Sequence, residues 1–466
     1  MDLTKSIDAN GKAYNKVLLV LAIIIGGFMT VLTETLLNNG LANIARGFHI
    51  TLATAQWIST ANLLTIGIMI PISAVFLYKF DSKKLYLTAL GIFLAGTVVA
   101  YVAPSFGILL LGRVVQAVGV GIIMPFMRNI MVLIFPANQR GMAMGITGVV
   151  IALAPAVGPT LSGWILATHS WRALFGILIP VTIAVIVLVL IGMRKLIPTT
   201  NPKLDVPSVL YSGLGFAGIL YGFSTIGSNW WLSLIVIIVG IGFVTLLIKR
   251  QTQLKEPMLN VSVFKFSTFN LSVALSSLGQ LSLLGMQVLV PVYLQSAFHL
   301  SALTTGLLML PGALMMGVVN PLSGMLFDRY GIRKLAISGF LIAALATLPF
   351  VFFTVNVSLV WIGVAYAAWM MGISLMLMQL ATAGINVLPV KLIAHGNAIN
   401  TMAGQIAGAI ATALLVSISG IINVAAHTTM LGYQVAFGVL VVLLLAGFGA
   451  SFKFKQTDTL TSQVMN

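Results

Sequence analysis

The run FMTVLTETLLNN, residues 28–39, sets a carboxylate, Glu34, inside a stretch otherwise apolar enough to cross a lipid bilayer. An ionisable side chain at the centre of a spanning helix costs about 2.5–3.5 kcal/mol on insertion scales. One kept there marks a proton, ion or ligand route by default. The rest of the titratable inventory gives Glu34 its weight. Asp2, Asp8, Asp81, Asp205, Glu256, Asp328 and Asp458 fall in tails, in polar segments or at their edges, and so do His49, His169, His299, His395 and His427. Glu34 is therefore the leading candidate if a side chain carries protons through this chain. The strongest candidate partner is Arg113, also inside an apolar run. With a first helix ending near residue 41 and a fourth starting near 105, Glu34 lies about 10 Å and Arg113 about 12 Å below the outer surface, at 1.5 Å per residue. The two can meet. A neighbouring guanidinium and burial act on a carboxylic acid in opposite senses, so a change of surroundings would make it take up or release a proton. A fixed ion pair that only pins two helices is the structural alternative.

The elements that must position these residues are membrane helices. Of 466 residues, 59% are hydrophobic and 7% charged, with a mean hydropathy of +1.09. A soluble fold of that composition would have nothing to cover itself with. Helix centres near 27, 67, 94, 118, 153, 183, 216, 240, 280, 314, 344, 370, 409 and 441 give fourteen spans and an all-α polytopic membrane protein. Lys5, Lys12 and Lys16 precede an apolar run too long for a signal core, so the first span is expected to be retained. The net charge of +16 follows topology. With the N-terminus inside, twenty of the 24 Lys and Arg lie in cytoplasmic segments, only Arg46 and Arg172 lie outside, and Arg113 and Arg128 lie in or at the end of a span. The positive-inside rule then places both termini in the cytoplasm and removes nucleic acid as a partner. The absence of cysteine excludes disulfides and thiolate metal sites. No metal or cofactor is expected.

A self-comparison divides the chain. AVFLYKFDSKK (74–84) and GMLFDRYGIRK (324–334) both follow a span and are offset by 250 residues. The expected organisation is a tail (1–14), a six-helix bundle (15–193), an inserted helix pair with its linkers (194–266), a second six-helix bundle (267–452) and a tail (453–466). Uncharged polar residues recur at helical spacing within these spans. Gln280 and Gln287 share one helix face, as do Gln379 and Asn386. Asn38, Asn62, Gln116 and Gln405 are candidates to line the same central volume, with Tyr293 and Trp369 as aromatic candidates; Trp369 stands in the methionine-rich run YAAWMMGISLMLMQ. Methionines repack around ligands of different shape and aromatic faces attract cations, although such runs in membrane helices more often serve packing or face lipid.

Taken together the chain resembles the major facilitator superfamily, and within it the fourteen-helix drug/proton antiporters. The carriers of the resemblance are ordered motifs. Gly324, Asp328, Arg329, Gly331, Arg333 and Lys334 match the family's cytoplasmic gating loop, while the first copy is degraded, with Tyr78 and Asp81 at two key places. LLLGRVVQAVGVG matches its arginine-containing motif. GITGVVIALAPAVGPTLSG matches its antiporter motif through Gly145, Gly158, Pro159 and Gly163, with Ala154 and Ser162 in place of glycines. Glycines there let another helix approach, and Pro155 with Pro159 favours a bend. The resemblance implies a major facilitator fold and an exporter of hydrophobic neutral or monocationic drugs that exchanges them for protons by alternating access. It also implies Glu34 as the proton or cation site with Arg113 as modulator, although the family's usual helix-one acid stands one position earlier, at Thr33. The expected partners are a hydrophobic small molecule, protons and the lipid bilayer; the expected state is a monomer in a bacterial plasma membrane. A proton-coupled transporter of a narrow cargo (metabolite, lipid or peptide) is the alternative. A receptor or scaffold on the same fold is more remote. An enzyme is not expected, since no reactive constellation and no G-x-x-x-x-G-K-[ST] loop is present.

Overall fold

The computed structural model describes residues 5–7, 13–135, 147–148, 154, 157–158, 160–196, 205–225, 229–254, 257, 259–426 and 430–454, without the side chains of a few residues inside helices. Of the residues singled out above, Gly145, Pro155 and Pro159, and the side chain of Asn38, lie outside the described residues.

The described chain is helical apart from one antiparallel pair of short strands, Lys5–Ile7 and Ala13–Asn15, in the segment expected as a plain tail. The helices of the first part are α1 (Lys16–Gly47), α2 (Leu52–Ala55), α3 (Trp57–Lys79), α4 (Ser82–Tyr101), α5 (Phe106–Ile134), α6 (Ala173–Gly176) and α7 (Leu178–Gly192), with residues 160–168 also helical. Then follow α8 (Val206–Thr225), α9 (Trp230–Gln253), α10 (Ser267–Ala297), α11 (Ala302–Phe352), α12 (Leu359–Asn386), α13 (Val390–Ala425) and α14 (Leu431–Ser451). Among the described residues, eleven helices are long and apolar enough to cross a membrane. One of them, α11, has 51 residues and is broken at Gly331 (φ 75°, ψ 168°). At 1.5 Å per residue its two arms have room for two crossings. In hydrocarbon a helix is the element that satisfies all of its own backbone, which is why apolar composition here becomes helix. Each expected centre falls in a described helix except the one near 153, which lies outside the described residues.

Two expectations need correction. The first helix does not end near residue 41 but continues to Gly47, where Phe48 and His49 terminate it. Asn38, Asn39 and Gly40 do not stop it, because a helix that already has a packed face carries polar residues through. Glu34 is thus 13 residues, about 20 Å, from the helix end rather than about 10 Å. The motif around 324–334 is also not a loop. Gly324, Asp328 and Arg329 ride on the first arm of α11, Arg333 and Lys334 on the second, and Gly331 alone turns the chain in a backbone region open essentially to glycine. Arg329 and Lys334 lie over the Tyr330 ring, 5.3 and 5.5 Å from its centroid. In the first copy Asp81 does this work differently, capping α4 by accepting from the Lys83 and Lys84 amides at 2.9 and 3.2 Å.

The chain forms two compact units, Met1–Val209 and Leu210–Asn466. Their internal repetition is visible in detail. His49 and His299 each adopt φ 54° just after a long helix. Thr51 and Ser301 each bond a threonine hydroxyl three residues on at 2.9 Å and accept that threonine's amide at 3.1 Å. Within the first unit α4 and α5 meet along glycines. A Cβ on Gly119 would lie 2.7 Å from the Ala89 carbonyl oxygen and 2.9 Å from the Phe93 amide, both backbone. Gly119→Leu is therefore expected to force the helices apart and cost about 3 kcal/mol, read as a fall in thermal midpoint and yield of purified protein. Gly107→Leu, on the same helix with nothing within 4 Å, should change neither.

Candidate functional site

In the first unit four helices bring polar side chains to one place. Glu34 projects from α1 and its Oε1 accepts from Asn62 Nδ2 on α3 at 3.5 Å. Arg113, on α5, is 1% exposed. It and Glu34 attract one another electrostatically, yet its hydrogen bond goes elsewhere: Arg113 Nη1 donates to Gln116 Oε1. Gln116 Nε2 in turn donates to Thr97 Oγ1 on α4 at 2.6 Å, and Thr97 donates to the Phe93 carbonyl at 2.7 Å. The guanidinium is thus held by a chain of hydrogen bonds that ends on backbone, within electrostatic reach of the carboxylate. Two polar atoms of the cluster, Asn62 Oδ1 and Arg113 Nε, are buried without a partner among the described residues. Buried polar groups are otherwise nearly always bonded, so the cluster has one acceptor and one donor open to water or a ligand.

The sequence pointed to Glu34, Asn62, Arg113 and Gln116, and the structure places all four here. Thr97 carried no signal, being one of many threonines and nineteen residues from its partner. A second group was half visible. Asn39 Nδ2 donates to Ser162 Oγ at 2.9 Å, and Thr35 Oγ1 donates to the Ala154 carbonyl at 3.2 Å. Ala154 and Ser162 are the two positions that depart from the antiporter motif, so both departures are where α1 attaches. Gly158 packs directly on Thr35, next to Glu34, and Gly163 is buried.

The second unit holds the remaining candidates in different settings. Gln379 Nε2 donates to Ser323 Oγ at 2.9 Å and Trp369 Nε1 to Ser282 Oγ at 3.1 Å, so both side chains stitch helices. Tyr293 is fully buried among Phe298, Tyr433 and Phe437, with ring centroids 5.2–5.5 Å away, and its hydroxyl has no partner among the described residues. Asn386 is exposed. Gln280 packs against Gly404; Gln287 is 7% exposed, and among the described residues its Nε2 and the Oε1 of Gln405 have no partner. Among the described residues no group of three or more His, Asp or Glu side chains is placed to hold a metal.

Comparison with known proteins agrees with this architecture. The profile of the Major Facilitator Superfamily matches residues 23–412. The chain is 43% identical over 455 residues to the MFS-type transporter YcnB of Bacillus subtilis, covering 96% of each chain. It is 38% identical over 411 residues to the lincomycin resistance protein LmrB of Listeria innocua, covering 88% of this chain and 87% of that one. The crystal structure of the human organic anion transporter MFSD10 shares the fold, with a TM-score of 0.65 at 13% identity over 93% of this chain and 99% of the other. A helical chain with this much lipid-compatible surface, this repeat and these relatives is a multi-pass membrane transporter and not an enzyme, and it belongs to the major facilitator superfamily.

Proposed function

We propose that the protein is a proton-coupled exporter of hydrophobic neutral or singly cationic compounds that works by alternating access, with Glu34 as the proton carrier and Arg113 as the charge that modulates it. The observation that carries this reading is the pairing of a membrane carboxylate with a buried guanidinium that is bonded to Gln116 rather than locked onto the acid. A locked pair would hold one protonation state; an acid facing a fixed charge across a gap responds when the cavity turns from one side to the other. The lincomycin resistance name of a relative that spans most of the chain supports drug efflux. The chain crosses the membrane fourteen times as six, two and six helices (15–193, 194–266, 267–452), with both terminal segments (1–14, 453–466) in the cytoplasm of a bacterium, and acts as a monomer. The inserted pair α8 and α9 packs on itself through Gly215, Gly218 and Gly240 and exposes much of α9, which suits a peripheral position facing lipid.

The test is proton release. Adding a hydrophobic monocation to purified protein in weakly buffered solution should release about one proton per cargo bound, because a single carboxyl group serves both. A cargo that binds with no change in pH would remove the coupling.

A further inference from the structure

The repetition between the two units fixes which residues correspond. His49 matches His299, the Thr51–Thr54 pair matches Ser301–Thr304, and Thr97, bonded to the carbonyl four residues back, matches Thr347, bonded likewise. All three give an offset of 250. After the next turn the offset becomes 253. Ser105 precedes α5 as Ser358 precedes α12, and Gly119 packs on Ala89 and Phe93 as Gly372 packs on Gly339 and Ala343. By this register Glu34 corresponds to Leu284, Asn62 to Gly312, Arg113 to Tyr366 and Gln116 to Trp369. The second unit repeats the scaffold and drops every charge of the site.

What surrounds Leu284 is a set of amides. Gln280 and Gln287, four residues before and three after it, share its face of α10. That face packs against α13, where Gly408 touches Leu284 and Gly404 touches Gln280. Gln405 is the next residue on α13. Gln287 Nε2 is a buried donor with no acceptor and Gln405 Oε1 a buried acceptor with no donor among the described residues. Gln287 is 93% buried, and an unmade bond at such a depth is costly. A donor and an acceptor left open along one seam suit a neutral ligand group that offers both.

We propose that the second unit holds a site of its own for neutral hydrogen-bonding groups, with Gln287 and Gln405 bonding an amide or hydroxyl group at the position that corresponds, by the repeat, to the acid of the first unit. This rests on the exporter reading and divides its labour: charge in the first unit, neutral hydrogen bonding in the second. The test is equilibrium binding to the purified full chain of two probes: chloramphenicol, uncharged with an amide and hydroxyls, and tetraphenylphosphonium, charged without hydrogen-bonding groups. Gln287→Leu and Gln405→Leu should each weaken chloramphenicol about 5- to 10-fold and leave tetraphenylphosphonium within about twofold. Glu34→Gln should do the reverse. The thermal midpoint of the ligand-free leucine variants should hold or rise, because an orphaned polar atom is removed. If both probes weaken alike, if neither changes, or if the wild type binds tetraphenylphosphonium alone, the division of labour is overturned while the exporter reading stands. Wild-type protein that binds neither probe brings down both.

Discussion

Glu34→Gln abolishes uphill export: in everted vesicles, accumulation driven by a pH gradient should fall at least about 100-fold, while a neutral cargo still equilibrates down its own gradient. Glutamine matches the acid in size and keeps an oxygen for Asn62 Nδ2, so the packing of α1 against α3 survives. What it lacks is the ability to exchange a proton. A neutral amide also leaves Arg113 facing no anion, which biases the conformational equilibrium whichever way the cavity faces; differential interaction with two states is the only way a site can drive a transport cycle. Uphill pumping that persists in this variant, checked by fluorescence of a transported dye with and without the gradient, would remove Glu34 as the coupling site.

The second large effect is on Arg113. Arg113→Leu should destabilise the folded protein by about 3–5 kcal/mol, because the loss of one member of a buried charge pair strands the other, and it also frees the Gln116 carbonyl. Transport is lost with it. The informative variant is the double one. Glu34→Gln with Arg113→Leu removes both charges, so the thermal midpoint should recover most of its loss while pH-driven export stays absent. Recovery of stability without transport separates function from folding. If the double variant were no more stable than Arg113→Leu alone, the two charges would not be acting on each other.

How much of this was legible follows from what each residue had to compete with. Glu34 stood out because hydrocarbon tolerates few acids, and Arg113 because its motif surrounds it. The helix pattern was readable from apolar length alone. Thr97 was not readable, since a hydroxyl that satisfies Gln116 from a neighbouring helix looks the same in sequence as one that bonds its own backbone, and Thr97 does both. The helix α1 runs past the expected end near residue 41 to Gly47, and Asn39, 3% exposed with its amide on Ser162, shows a polar residue inside the packed helix rather than at its end. The charged segment 324–334 was read as a loop for the same reason: charge density marks the membrane boundary, not the end of a helix. Gln379 and Trp369 are candidates for lining by sequence, yet each donates a hydrogen bond to a serine on another helix. Helical spacing reports which residues share a face; it does not report what that face meets.

The joint at Gly331 has a mechanical corollary. With helix up to Tyr330 and again from Ile332, one residue connects two stiff rods and there is no slack between them. Whatever tilts one rod must drag the end of its neighbour, so the pair behaves as a lever with its fulcrum at a single alpha carbon, and any side chain added there would jam the pivot rather than merely lengthen it.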